Sequence, residues 1–283
     1  MTEYLTIDGG QIAYDVTGDG PLVVLSHGIG DRRQAYRLLA PKLVAAGYRV
    51  AAADLRGHGE SSMNWKSHDG SDAISRTDVA GDLLALIRHL GGPAVIIGHS
   101  ISGGAATIAA AQEPELVNGI IELNPFTKTQ SFAAGAMFTV SRYRKGMTRL
   151  MGAMIFKSLG LWMSYLNVAY PIKPADYDQY MAELSAKLRE PGRFAEFLKT
   201  GKSTPADAEA QLPNISSPAL IIMGTEDPDF PDPKAEGAAV VALMPAGLGT
   251  VELSEGSGHY PHADSPDRVA ELALKFLAER ARA

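Results

Sequence analysis

The chain has 283 residues, 46% of them hydrophobic and 20% charged, with a formal net charge of -6 and no cysteine. That length builds one large domain or two small ones with a sizeable core. An acidic balance excludes the broad basic face of a nucleic-acid binder, and the lack of cysteine excludes disulfides and thiolate chemistry.

The charge is uneven. Residues 126 to 212 carry twelve Lys/Arg against seven Asp/Glu, and residues 126 to 157 hold six basic residues and no acidic one. Such a stretch would attract an anionic substrate or surface, or would simply present a solvated helix face. The opening MTEYLTIDGG lacks the basic and apolar regions of a signal peptide. The longest nearly uncharged stretch, Ser158 to Ile172, is too short to span a bilayer. A cytoplasmic protein without membrane insertion is expected; nothing in the sequence speaks to its oligomeric state.

In chain order, EYLTI and QIAYDV flank Asp8-Gly9-Gly10, the turn chemistry of a β-hairpin. Continuous apolar runs follow: LVVLS (Leu22 to Ser26), YRVAAAD (Tyr48 to Asp54), AVIIG (Ala94 to Gly98), GIIEL (Gly119 to Leu123), ALIIMG (Ala219 to Gly224) and finally TVEL. Runs of this kind suit strands covered on both faces. Amphipathic stretches at Tyr36 to Ala46, Asp78 to Leu90 and Ser102 to Gln112 alternate with them, and Asp267 to Ala281 closes the chain as a further helix. Strands alternating with helices predict a mostly parallel sheet with right-handed crossovers. The alternation breaks after Leu123, and a structureless loop of that length is implausible. A core of residues 1–125 and 213–283 with a helical subdomain at 126–212 is expected.

Ligands of an open parallel sheet bind beyond the carboxyl ends of its strands. Four such ends carry Ser26-His27-Gly28, Gly98-His99-Ser100, Gly224-Thr225-Glu226-Asp227 and, after TVEL, Gly256-Ser257-Gly258-His259. A serine, an acid and a histidine thus occur in that order. IGHSISGG contains two frames of the strand-turn-helix pattern G-x-S-x-G, one centred on Ser100 and one on Ser102, each with one Gly and one Ser as flanks. The pattern does not choose between them. Position does: the apolar strand stops at Ile97, which puts Ser100 in the turn and Ser102 in the first helical turn, in a structural role.

The segment SHGIGDRRQAYRLLAPKLVAAGYRVAAADLRGHGESS, followed by GHSISGG, GTEDPD and GSGHYPHADSPDRVAELALKFL, resembles the α/β-hydrolase superfamily in order and spacing. The resemblance covers everything but the insert. It implies an α/β-hydrolase fold, a mostly parallel eight-stranded sheet flanked by helices, with the insert as a helical lid. It implies Ser100 as nucleophile, His259 as its base and Asp227 as the acid that fixes the imidazole, with Glu226 and Asp229 solvated. A second acid position known in this fold, after GIIEL, holds Asn124, which carries no charge. The backbone N–H groups of Ile101 and Ile29 are the implied oxyanion donors.

Within the insert, Phe126, Met137, Phe138, Met154 and Trp162 are expected to line an apolar pocket, the alternative being that they pack the insert's own helices. His99 is expected beneath the elbow, with His58 in the DLRGHGES turn, His68 and His89 peripheral, and Asp54 and Arg56 holding a loop. His259, His262 and Asp264 lack the company of a metal motif, and Gly28-Ile29-Gly30 lacks the third glycine of a dinucleotide site, so neither metal nor cofactor is expected. The implied activity is hydrolysis of a small, largely apolar carboxylic ester or lactone through an acyl-enzyme. Amide, thioester and C–C cleavage use the same residues, whereas dehalogenases and epoxide hydrolases would require aspartate at position 100. Ser102, where most members have glycine, is shared with relatives resembling plant butenolide-hormone receptors and a bacterial stress-response regulator, which implies a rival reading as a slow-turnover ligand sensor.

Overall fold

The structure is a computed structural model, and it describes residues 1–279. Eight strands, β1 (Glu3–Ile7), β2 (Gly10–Thr17), β3 (Leu22–Ser26), β4 (Arg49–Ala53), β5 (Ala94–His99), β6 (Val117–Leu123), β7 (Ala219–Gly224) and β8 (Gly249–Ser254), form one sheet in the order β1-β2-β4-β3-β5-β6-β7-β8. Only the pairings of β2 with β1 and with β4 are antiparallel. From β4 to β8 every neighbour runs parallel.

The unbroken apolar runs have a physical reason. Successive side chains of a strand point to opposite faces, and here both faces are buried. Leu22, Val24, Ile96, Ile120 and Ile221 enter one core, while Val23, Leu25, Ile97, Ile121 and Ile222 enter the other. The first core is covered by α2 (Arg76–His89) and α3 (Ile101–Gln112); the second by α1 (Ala40–Ala45) and α12 (Pro266–Glu279). Ser75 caps α2 reciprocally with Asp78, each side chain accepting from the other's backbone N–H. The stretch expected as one helix over Tyr36 to Ala46 is a single 3-10 turn at Arg33–Tyr36 and the short α1, because Pro41 suits only a helix's first turn. Of the closing helix, Arg280 and Ala281 lie outside the described residues.

Between β6 and β7 run α4 (Ala136–Thr139), α5 (Ser141–Ile155), α6 (Leu159–Ala169), α7 (Tyr177–Leu188), α8 (Arg193–Thr200) and α9 (Ala206–Glu209). Trp162, Tyr165, Leu166, Tyr180, Leu184 and Phe197 give α5 to α8 a core of their own, which continues into Tyr260 after β8, whereas Ala208 of α9 joins the first sheet core. The remaining helices are α10 (Pro233–Ala242) and α11 (Pro261–Asp264). Among the described residues no helix is long and apolar enough to cross a membrane.

Candidate active site

The site begins at the turn from β5 into α3. Ser100 adopts φ 54° and ψ -117°, a conformation that costs a residue with a side chain roughly 1–3 kcal/mol and persists only where its surroundings enforce it. They do so on both sides: the Ser100 N–H donates to the carbonyl of Leu123 at 3.0 Å, and the Phe126 N–H donates to the carbonyl of Ser100 at 3.2 Å. The turn is tight enough that a Cβ at Gly98 would lie 2.2 Å from the carbonyl oxygen of Ser102. Strain and close approach thus explain the small residues around Ser100.

Ser102 is engaged elsewhere. Its hydroxyl donates to the carbonyl of His27 at 2.6 Å, which leaves Ser26 as the donor in the 2.9 Å bond between the two serine hydroxyls. It is fully buried and lies outside the cavity wall to which Ser100 belongs. The bond ties the base of the loop after β3 to the first turn of α3. Ser102→Ala should therefore cost about 1–2 kcal/mol in urea unfolding.

The loop after β3 is shaped by a histidine rather than by glycine alone. His27 Nδ1–H donates to the carbonyl of Gly28 at 2.7 Å, and its Nε2 accepts from the N–H of Leu55 at 3.0 Å. Burial pushes the ring's pKa down to about 4, so it is neutral and this tautomer is set by its partners. With that carbonyl held by the ring, the N–H of Ile29 is left free. Among the described residues neither Ile29 N–H nor Ile101 N–H donates to a backbone or side-chain acceptor, and both residues line the cavity next to Ser100.

Asp227 and His259 arrive from the loops after β7 and β8. His259 Nδ1–H donates to Asp227 Oδ2 at 2.8 Å, and the carboxylate is fully buried. The two loops are clamped by Asn124 at the end of β6, which donates from Nδ2 to the carbonyl of Gly258 at 2.7 Å and accepts at Oδ1 from the N–H of Gly224 at 2.7 Å. His99 adds a third tie, Nε2–H donating to the carbonyl of His259 at 2.8 Å. Ser100 Oγ and His259 Nε2 make no hydrogen bond among the described residues, and both residues border one cavity.

Asp229, expected to be solvated, is instead buried at 5% exposure, with Oδ2 3.4 Å from His259 Nδ1. Tyr165 of α6 donates to that oxygen at 2.7 Å, and the Asp229 N–H donates to Asp227 Oδ1 at 2.8 Å. The turn Glu226-Asp227-Pro228-Asp229 folds inward because the insert lies over it; Glu226 alone of the three acids stays exposed. Burial by itself would lower the pKa of His259, but the negative charges of Asp227 and Asp229 outweigh it and push the ring up to about 9. Burial raises Asp229 to about 6, against the pull of the His259 charge.

Asp227, Asp229 and His259 also form the group of potential metal ligands whose atoms lie within 4.8 Å of one another. Their lone pairs are largely committed to one another, to Tyr165 and to the Asp229 N–H. Asp264, which burial pushes up to about 8, instead accepts from the N–H of Gly258 at 2.7 Å. His262 is buried with neither ring nitrogen hydrogen-bonded, and burial lowers it to about 3.

The cavity holds about 240 Å³ and is walled by Ser100, His259, Ile29, Phe126, Met154 and Trp162 among others. Met137 and Phe138, expected in the same wall, are not brought there. Both sit on the four-residue α4, where Phe138 is 85% exposed. Residue composition marks an apolar insert but not which way so short a helix faces. Tyr165 and Leu150 take part in the wall, and so does Arg76, for which motif reading offers no signal. Asp54 and Arg56 do hold loops: Asp54 accepts from the N–H groups of Arg33 and Glu60, and Arg56 forks onto Asp82 at 2.6 and 2.8 Å.

Comparison with known proteins agrees with this architecture. The profile of the Alpha/beta hydrolase family matches residues 23–272. The chain is 27% identical to a 2-(acetamidomethylene)succinate hydrolase of Mesorhizobium japonicum, over 96% of this chain and 94% of that protein. Among solved structures, a thermophilic esterase from Thermogutta terrifontis superposes with a TM-score of 0.74 at 23% identity, all of each chain being covered. An esterase from Exiguobacterium antarcticum does so with a TM-score of 0.75 at 19% identity, over 99% of this chain and 100% of that one. At such identities the structural likeness establishes the fold.

Proposed function

Because this chain belongs to the alpha/beta hydrolase family, we propose that it is a serine hydrolase that cleaves a carboxylic ester or lactone, with Ser100 as nucleophile, His259 as general base and Asp227 as the fixing acid. The observation that carries this reading is the strained Ser100 turn sharing one cavity with a His259 ring whose Nδ1–H is held by the buried Asp227. The insert α4–α9 acts as the lid, and Phe126, Met154 and Trp162 give the substrate an apolar wall.

The chemistry follows from these positions. Ser100 Oγ attacks the substrate carbonyl as its proton passes to His259 Nε2, and the negative charge on the carbonyl oxygen is met by the N–H groups of Ile29 and Ile101. Asp227 stabilises the imidazolium, which then gives its Nε2 proton to the departing alkoxide. Water enters, loses its proton to Nε2 and attacks the acyl-enzyme, releasing the acid and restoring Ser100.

Turnover of a graded panel of p-nitrophenyl esters tests the reading. Sustained release of p-nitrophenol supports it. A single burst that leaves the protein covalently modified would point to a ligand sensor instead.

The pH dependence carries a sign. Only neutral His259 accepts the proton, so kcat/KM should rise with pH through the ring's pKa of about 9 rather than near neutrality. Asp229→Asn removes one of the charges that raise it and should move the midpoint of the rate profile downwards. An unmoved midpoint would separate Asp229 from the titration.

A further inference from the structure

Arg76, the first residue of α2, is 6% exposed and stands in the cavity wall with Ser100 and His259. Its Nε donates to the carbonyl of Phe126 at 2.7 Å. Its Nη1 is sealed from water without an acceptor, and among the described residues its Nη2 makes no hydrogen bond and no carboxylate forms an ion pair with it. A buried guanidinium is ordinarily paired, because removing its charge from water is costly. Burial lowers its pKa to about 10, with the charge of Asp207 opposing, so it remains cationic at neutral pH. The Asp207 carboxylate is taken up by the N–H and hydroxyl of Thr77.

The placement is specific. A Cβ at Gly104 would lie 2.8 Å from Cδ of Arg76, so the stem of the arginine lies close against α3, where a larger residue would displace it. Gly104 is four residues beyond Ser100, about 6 Å along the helix at 1.5 Å per residue. The cavity thus holds a cation with an unused donor about one helical turn from the nucleophile, and the one carboxylate in the same wall, Asp229, is engaged with Tyr165 and His259 rather than with Arg76. The helix α5, which supplies Leu150 and Met154 to the same wall, adds Arg144, Lys145 and Arg149 beside Arg142, which faces Glu226 at 3.6 Å, and the net positive field favours the approach of an anion.

We propose that Arg76 is a carboxylate-binding subsite, and that the substrate is an ester or lactone whose acyl part carries a carboxylate a few methylenes from the carbonyl under attack. With Nε on the Phe126 carbonyl and Nη1 sealed off, a carboxylate oxygen would accept a charge-assisted hydrogen bond from Nη2. Binding it would satisfy that donor and place a counter-charge beside the guanidinium. The inference rests on the serine hydrolase reading for the position of the reacting carbonyl, but not for the anion site itself.

The test compares monomethyl glutarate with methyl 5-methylhexanoate, in which an isopropyl group replaces the carboxylate. The wild-type kcat/KM ratio should favour the carboxylate by about 10²-fold or more. Arg76→Gln should bring that ratio towards one, and Arg76→Lys should restore part of it. Binding of glutarate to the Ser100→Ala protein, followed by calorimetry, requires no turnover and should weaken at least about 10-fold when Arg76→Gln is added. A wild-type preference for the neutral ester, or a ratio unmoved by Arg76→Gln, overturns the subsite. If Arg76→Gln does not fold, the wild-type ratio and glutarate calorimetry decide. A protein that binds glutarate but hydrolyses no ester would overturn the esterase reading and leave the subsite standing.

Discussion

Replacing Ser100 by alanine is expected to lower kcat/KM for any ester the protein hydrolyses by on the order of 10⁴- to 10⁶-fold, as loss of the nucleophile does in serine hydrolases. The fold should survive, because the hydroxyl of Ser100 holds no other group and the turn is fixed through its backbone. Ser102→Ala provides the contrast. It removes a buried bond to the loop after β3 and should keep kcat within about 10-fold of wild type, since it deletes structure rather than chemistry. Esterase assays on the two variants side by side check this. An interchange of the two outcomes would assign the nucleophile to residue 102.

The second large effect belongs to Asp227. With asparagine in its place, the amide no longer requires a proton on His259 Nδ1, and the imidazole can settle in the tautomer that cannot take the proton from Ser100. A fall of about 10³- to 10⁴-fold in kcat is expected at neutral pH. Asp229, 3.4 Å from the same nitrogen, limits that loss by offering Nδ1 another acceptor. Asp227→Asn/Asp229→Asn should therefore fall roughly another 10-fold. If the double variant is no slower than Asp227→Asn alone, Asp229 acts only on the pKa of the ring and not on its tautomer.

The parallel sheet was legible because both of its faces are buried, which leaves unbroken runs such as Ala94 to Ile97 that no solvent-facing strand would show. The turn at Ser100 was legible for a steric reason: Gly98 and the small residues after it are demanded by contacts within one short segment. Other features depend on how distant segments meet. Asp229 reads as one more polar residue of an exposed turn until Tyr165, sixty-four positions away in sequence, covers it. Asn124 reads as an acid position left uncharged, yet it joins the loops after β7 and β8 through its amide. Met137 and Phe138 share the composition of Met154 and Trp162 but not their direction. Arg76 lies in no motif, and its isolation becomes visible only once its neighbours are known.

Treatment of the native protein with a fluorophosphonate, followed by peptide mapping, tests the assignment of the nucleophile most directly. The phosphonyl group should be found on the peptide containing Ser100, attached to that serine, and labelling should slow as the pH falls through about 9 and His259 becomes protonated. An adduct on Ser102 or on any other residue, or a protein that remains unlabelled while folded, would contradict it.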